Sequence, residues 1–201
     1  MSTLVMVEKA GVACMAADTL TSSGSRKHLA RYVASPEKIL EVDGSYIGLV
    51  GWCAHQAVLE SAFSHGLALP EIANEQDLFE FSRVLHRTLK KEYFLNTQDD
   101  DVPYESSQMM LFILNQYGMF ALYALRSVER CLRFAAAGSG SSYALGAMYA
   151  AYDQDLPAEE IVRLGVEAGI EFDRGSYGPI TLKRLEVKQA RRSERETVVA
   201  A

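Results

Sequence analysis

The residue with the clearest potential for chemistry is Ser2, which becomes the first residue of the chain if the initiator Met1 is removed. One residue would then carry both a hydroxyl nucleophile and a terminal α-amine that can accept the hydroxyl proton. An unperturbed α-amine has a pKa of about 7.7–8.0, so it can act as a base near neutral pH. Many chains begin with Met-Ser, so this pairing gains weight only from the residues that follow.

Other residue types that often carry chemistry are scattered along the chain. The three cysteines form no CxxC pair, and we expect them to be reduced thiols in the core of a cytoplasmic protein. The four histidines have no HExxH or other close metal-binding spacing, so no metal site and no cofactor are predicted. These residues are Cys14, Cys53, Cys131, His28, His55, His65 and His86.

The composition is that of an ordinary globular protein. The chain has 201 residues, of which 49% are hydrophobic and 23% charged, and its net charge is -6. This length suits one domain over residues 1–201, with a flexible tail over 188–201. The acidic balance argues against a nucleic-acid partner, and no apolar stretch approaches the roughly 20 residues of a membrane helix.

Hydrophobic periodicity divides the chain into alternating groups of strands and helices. Strands are predicted over residues 3–8, 12–17, 38–42, 45–50, 109–114, 119–125, 132–137 and 181–187. Helices are predicted over 52–65, 76–95, 138–152 and 157–172, and polar loops over 18–24 and 96–106. Two packed antiparallel sheets between two helix pairs would bury these apolar faces, so we predict an α+β fold, a four-layer αββα sandwich.

Short motifs along the chain resemble those of proteasome β subunits and of the related ATP-dependent peptidase of the bacterial heat-shock locus. The resemblance covers residues 2–187 and looks closest to the small proteasome homologues of β-proteobacteria. It implies the fold of N-terminal-nucleophile hydrolases. The motifs are Ser2-Thr3-Leu4-Val5, Ala16-Ala17-Asp18, Lys38-Ile39, Gly138-Ser139-Gly140 with the following Tyr143-Ala144, and Asp173-Arg174-Gly175-Ser176.

The resemblance implies a role for each matching residue at the reacting centre. Ser2 would attack a peptide carbonyl and form an acyl-enzyme that water later hydrolyses. The Lys38 ammonium would lower the pKa of the Ser2 amine and hydroxyl, and Asp18 would compensate its charge in a partly dry site. The backbone N–H of Gly51 would stabilise the oxyanion.

The remaining matches imply positioning and substrate contacts. Ser139, Asp173 and Ser176 would hold the α-amine and a water molecule by hydrogen bonds. An extended substrate would pair with the Thr21-Ser22 segment as an added strand. The first specificity pocket would be lined around Leu40, Leu49 and Cys53, which predicts a preference for apolar residues.

Each residue also has a simpler interpretation, and some depart from the family pattern. Asp18 alone could be a turn residue, Lys38 a surface lysine, and the Gly-Ser-Gly run a flexible loop or helix cap. Serine replaces the usual threonine as nucleophile, and its χ1 is less restricted. Trp52 stands where the family often has a second glycine, and Leu20 where it often has arginine.

Three functions follow from the resemblance. The first is a compartmental endopeptidase that degrades peptides or unfolded proteins in stacked rings, two rings of seven being favoured over rings of six, with an ATPase unfoldase ring as partner. The second is an N-terminal-nucleophile amidase acting on small amides. The third is a ring-forming scaffold in which Ser2 does no chemistry. Both enzymatic functions require that Met1 be removed.

Overall fold

A four-stranded antiparallel sheet carries the N-terminus of the chain. The computed structural model describes residues 2–98 and 102–188. The spatial order of the strands is β10-β1-β2-β11. Because β1 lies between two neighbours, Leu4 pairs with both Ala17 and Ala137. These strands are β1 Leu4–Lys9, β2 Val12–Asp18, β10 Phe134–Ala137 and β11 Ile180–Glu186.

A five-stranded antiparallel sheet packs face to face on the first. Its order, β5-β6-β7-β8-β9, follows the order of the sequence because each strand turns back on the one before it. Leu4 and Met6 of the first sheet contact Phe112 and Leu114 of the second in one buried cluster. The strands are β5 Ile39–Val42, β6 Ser45–Val50, β7 Met110–Asn115, β8 Gly118–Leu122 and β9 Val128–Cys131.

Each sheet is covered on its outer face by two helices. Val5 and Val7 point away from the sheet interface and pack with residues of α3 and α4. Ile47 and Leu49 pack in the same way with residues of α1 and α2. The resulting α+β, four-layer sandwich is the fold that the sequence predicts. The helices are α1 Ala54–Ser64, α2 Glu75–Glu92, α3 Ser141–Tyr152 and α4 Ala158–Phe172.

The structure differs from the sequence-based prediction at two places. The polar loop predicted over 18–24 contains β3 (Thr21–Ser23), which forms a small hairpin with β4 (Arg26–His28). The strand predicted over 132–137 corresponds to β10, and β9 (Val128–Cys131), which was not predicted, precedes it at the edge of the five-stranded sheet. The acidic run 99–101 and tail residues 189–201 lie outside the described residues.

Two expectations about residue types can be compared with the structure. Cys14 is buried and Cys131 half-buried, but Cys53 is exposed, so the prediction of core thiols is wrong for Cys53. In the described part of the chain, the helices are all too short or too polar to cross a membrane.

Candidate active site

The antiparallel topology brings the start of β1 next to the ends of its two neighbours. The end of β2 places Asp18 beside Thr3, and the turn after β10 places Gly138 beside Ser2. Asp18 N donates a hydrogen bond to Thr3 O (3.1 Å), and Gly140 N donates one to Ser2 O (3.1 Å). The backbone that carries Ser2 is therefore held from both sides, and Ser2 itself is 7% exposed.

The glycines of the Gly-Ser-Gly motif are required by close contacts with this backbone. Gly138 has φ +95, and a Cβ there would lie 2.1 Å from Ser2 O. A Cβ on Gly140 would lie 2.0 Å from Thr3 Oγ1, and one on Gly169 of α4 would lie 2.2 Å from the same atom. The motif is thus packed closely against Ser2 and Thr3 and is not a flexible loop.

Asp18 is a fully buried carboxylate whose two oxygens are well satisfied. Oδ1 accepts hydrogen bonds from Thr3 N (2.9 Å) and from Lys38 Nζ (2.6 Å). Oδ2 accepts hydrogen bonds from Leu20 N (3.0 Å) and Tyr177 N (3.1 Å). A buried charge is tolerated only with such compensation, so the simpler interpretation of Asp18 as a turn residue is not sufficient.

Lys38 is the cationic partner of Asp18 and is not a surface lysine. Its side chain is only 11% exposed. Burial lowers the pKa of the Lys38 ammonium, and the Asp18 carboxylate opposes that shift without cancelling it. Leu49 N donates to Lys38 O (3.1 Å), which ties the residue before β5 to the end of β6 and so brings Lys38 close to Gly51.

A chain of hydroxyl and carboxylate groups runs from the nitrogen of Ser2 to α4. Ser2 N donates to Ser139 Oγ (3.1 Å), and Ser139 Oγ donates to Asp173 Oδ2 (2.7 Å). Ser176 Oγ also donates to Asp173 Oδ2 (2.8 Å) and lies 2.7 Å from Thr3 Oγ1. Because Ser176 gives its proton to the carboxylate, Thr3 must be the donor to Ser176.

The same hydrogen bonds set the ionisation of Asp173. Partial burial raises the pKa of this carboxyl, but hydrogen bonds from Ser139, Ser176 and the Gly175 backbone outweigh burial and hold the pKa below its ordinary value. Asp173 is therefore a carboxylate at neutral pH. As an acceptor it fixes both hydroxyls, which leaves the Ser139 oxygen to accept from the Ser2 nitrogen.

A cavity of about 300 Å³ opens beside Ser2. Most of the predicted substrate-contacting residues line it, including Leu49 and Cys53. Leu40 is not among the lining residues, although it packs against the same cluster between the five-stranded sheet and α1–α2 as Leu49 does. The predicted residues that line the cavity are Ser2, Thr21, Ser22, Lys38, Leu49, Gly51 and Cys53.

The sequence-based reasoning missed several residues around this cavity. Gln56, Ala57 and Glu60 of α1 line its wall together with Cys53. Their spacing places them on one face of a helix, a signal that is present in the sequence once the helix is directed at the site. Thr3 was missed as a structural residue because its contacts come from three separate elements.

Gly51 and Trp52 form the part of the rim that was expected to carry the oxyanion donor. A Cβ on Gly51 would lie 3.0 Å from His55 Nδ1 and 3.3 Å from Gln108 O, so glycine suits this crowded turn. Trp52 is 71% exposed and lines the cavity, so it does not pack in the core. Burial lowers the pKa of His55, so the imidazole beside Gly51 is uncharged at neutral pH.

Ser2, just before β1, lines one cavity with the lysine of a buried Lys–Asp pair, within a four-layer sandwich that is the fold of proteasome-type N-terminal-nucleophile hydrolases. The chain belongs to the family of bacterial proteasome homologues that includes Thiobacillus denitrificans BPH. The BPH structure in complex with epoxomicin is 39% identical, with a TM-score of 0.87 over 92% of this chain and 99% of that chain. A second BPH structure is also 39% identical, with a TM-score of 0.87 over 94% and 100%.

A more distant solved structure shows similarity of fold alone. Eukaryotic HslV from Trypanosoma brucei is 19% identical, with a TM-score of 0.66 over 92% of this chain and 99% of that chain. No protein-family model matches the sequence, and no curated protein matches it.

Proposed function

We propose that this protein is a self-compartmentalising, proteasome-like endopeptidase whose nucleophile is Ser2 after removal of Met1. The observation that carries the proposal is the buried Asp18–Lys38 pair, whose lysine lines the same cavity as Ser2. Burying the two charges costs solvation energy, and an apolar pair of similar volume is often at least as stable. A purely structural role therefore does not explain the pair.

The proposed reaction begins with proton transfer within one residue. The Ser2 α-amine accepts the Oγ proton while Oγ bonds to the carbonyl carbon of the substrate, whose π electrons move to oxygen. The Lys38 ammonium favours the ionised Oγ, and the Gly51 N–H donates to the oxyanion. The amine then gives its proton to the leaving nitrogen as the C–N bond breaks, and water hydrolyses the acyl-enzyme by the same steps.

Ser139, Asp173 and Ser176 act as positioning residues in this proposal. The Ser139 hydroxyl already accepts from the Ser2 nitrogen, and Asp173 prevents that hydroxyl from rotating away. An amine fixed by its neighbours keeps its lone pair directed at Oγ, which offsets the freer χ1 of serine compared with threonine.

The small hairpin supplies the proposed contact with the substrate backbone. Among the described strands, β3 pairs with β4 alone, so the other edge of β3 has backbone groups available for an added strand. Thr21 and Ser22 of β3 line the cavity. An extended peptide on this edge would direct one side chain into the cavity and place its carbonyl at Ser2.

Enclosure of the site requires self-association, which we propose takes the form of two stacked rings of seven subunits. An exposed apolar surface on α3 and α4 supports it: Tyr149 is 76% exposed, Phe172 is 67% exposed, and Tyr143 packs against Phe172 with ring centroids 5.6 Å apart. Monomeric proteins seldom expose so many large apolar side chains together. An ATPase unfoldase ring is the proposed partner for folded substrates.

The proposal is tested by peptide hydrolysis with a matched pair of serine variants. Ser2→Ala removes the nucleophile, whereas Ser64→Ala removes an exposed serine at the end of α1. We expect Ser2→Ala to lose all measurable turnover and Ser64→Ala to keep that of the natural protein. Equal turnover by Ser2→Ala would contradict the proposal. Turnover of small amides alone would indicate an amidase, and intact rings without any turnover would indicate a scaffold.

A further inference from the structure

The part of the cavity wall formed by α1 carries a negative charge that has no ion-pair partner among the described residues. Glu60 of α1 lines the cavity and accepts a hydrogen bond from Gln56 Nε2 (3.1 Å). In the part of the chain that the structure describes, Glu60 has no ion-pair partner, whereas the Lys38 ammonium is paired with Asp18 at 2.6 Å. With the Ser2 amine in its neutral, basic form, the Lys38–Asp18 pair and Glu60 together carry an excess of one negative charge.

The remaining wall is suited to the stem of a long side chain. Leu20 and Leu49 are almost fully buried and present apolar groups to the cavity, and Pro36 and Ala57 add to this lining. Lysine and arginine bury an aliphatic stem against apolar surface and keep a charged head at a polar end. The cavity of about 300 Å³ is at the small end of ligand pockets, so it suits one side chain rather than a large ligand.

Two groups at the rim would recognise the charged head. The Glu60 carboxylate is held one helical turn from Gln56, and a carboxylate offers two oxygens to a guanidinium or one to an ammonium. Trp52 is 71% exposed and also lines the cavity, and the face of an indole ring attracts a cation. A carboxylate, an indole and an apolar stem-binding wall together complement a basic side chain better than an apolar one.

We infer that Glu60 makes this site select substrates with lysine or arginine at the residue whose carbonyl is attacked. The inference rests on the proposed function and replaces the apolar preference that Leu40, Leu49 and Cys53 predict from the sequence. Leu40 does not line the cavity, and Cys53 is exposed at its edge. Leu49 then serves as a wall for the aliphatic stem and does not decide the preference.

The test compares two peptides that differ only in charge, one with arginine and one with its neutral isostere citrulline at that position. We expect kcat/KM for arginine to exceed that for citrulline about fivefold, the size of a partly exposed charge interaction. Glu60→Gln should bring the ratio close to one, and Glu60→Lys should reverse it. Raising the salt concentration should lower the ratio in the natural protein and leave it unchanged in Glu60→Gln.

The matched control is Glu167→Gln, which neutralises an exposed glutamate in the middle of α4, and it should keep the ratio of the natural protein. A ratio of one in the natural protein, or a ratio above one that survives in Glu60→Gln, would overturn the inference. Fluorescence anisotropy of both peptides with Ser2→Ala measures binding alone, so it tests the inference even if the proposed peptidase function is wrong. Tighter binding of arginine there supports the inference even without turnover, and equal binding overturns it.

Discussion

Lys38 is the residue on which the proposed chemistry depends most. Its ammonium is almost buried, and its one ion pair in the described structure is with the fully buried Asp18. We expect Lys38→Met to lower kcat/KM at least about 100-fold, since the Ser2 amine and hydroxyl would lose the charge that shifts their ionisation. Peptide hydrolysis by purified, folded protein measures this.

The free energy of unfolding of Lys38→Met must be measured together with its activity, because removing one partner of a buried ion pair costs about 3–5 kcal/mol. The double variant Asp18→Asn/Lys38→Met removes both charges and should recover part of that loss without recovering activity. Lys91→Met, which removes a lysine that is 77% exposed, should leave both properties unchanged. Full activity in a folded Lys38→Met variant would refute the proposed role.

The pH dependence of activity tests the environment of the same residue. Burial lowers the Lys38 pKa from its ordinary value of 10.5, so the ammonium loses its proton at a lower pH than an exposed lysine does. We therefore expect kcat/KM to fall on the alkaline side, with a midpoint below 10.5. A pH–rate profile measured where circular dichroism shows no unfolding gives the midpoint. A profile that stays flat beyond that value would contradict the assignment.

At the scale of elements, the contact between α4 and the start of β1 decides where Ser2 lies. Gly169→Ala would place a methyl group 2.2 Å from Thr3 Oγ1, so β1 or α4 must shift. We expect a loss of about 1–3 kcal/mol in the free energy of unfolding, together with a loss of activity. Denaturant titration measures the former.

A matched glycine-to-alanine substitution in α3 should raise the free energy of unfolding instead of lowering it. Gly146 has nothing within 4 Å of an added Cβ, so Gly146→Ala should stabilise the helix by about 0.5–1 kcal/mol. Equal effects of the two substitutions would show that the close packing around Thr3 has no energetic consequence.

Asp173 links the end of α4 to the motif after β10 and makes this link sensitive to acid. Its pKa in the folded protein is below the ordinary value of 3.8, so its stabilising contribution is present above that value and is lost as the pH falls through the lowered folded pKa. We expect Asp173→Asn to abolish this part of the acid-induced loss of stability. Thermal unfolding of the two proteins, measured from neutral pH down to pH values below 3.8, would show it.

Strand alternation explains both the success and the failure of the sequence-based prediction at this scale. The consecutive apolar residues Leu4–Val7 predict a strand, and the structure places them in β1, between β10 and β2. β9 was missed because Glu129 and Arg130 interrupt its apolar pattern, which is what an exposed edge strand allows. Leu40 and Leu49 pack in the same cluster, but only Leu49 lines the cavity, a difference in position that a local sequence pattern does not specify.

At the scale of the whole molecule, the order of short motifs predicted which residues meet, but not what surrounds them. Ser2, Asp18 and Lys38 match family motifs and lie together in the structure. Glu60 matches no motif, and its place in the cavity wall depends on how α1 packs against the sheet. Such positions follow from tertiary packing and are not readable from a single sequence.

The exposed aromatic side chains of α3 and α4 belong to the same scale because a second molecule would cover them in the proposed rings. We expect Tyr149→Glu to weaken the contact between the proposed rings and to yield particles of half the natural mass in native mass spectrometry. Arg163→Glu is the control, because it adds an acid to an exposed position of α4 without removing an apolar side chain. Unchanged particle mass in Tyr149→Glu would show that the contact between rings lies elsewhere. A natural protein that is monomeric would contradict the proposed self-compartmentalising assembly.

The most direct test of the central claim is the mass of the protein and of its N-terminal peptide after treatment with epoxomicin, the compound in complex with the 39% identical BPH. The account predicts a chain that begins at Ser2 and carries one epoxomicin molecule on that residue, with peptide hydrolysis lost in proportion to labelling. A preparation that retains Met1 and still hydrolyses peptides would contradict it, because an amide nitrogen cannot accept the Ser2 proton.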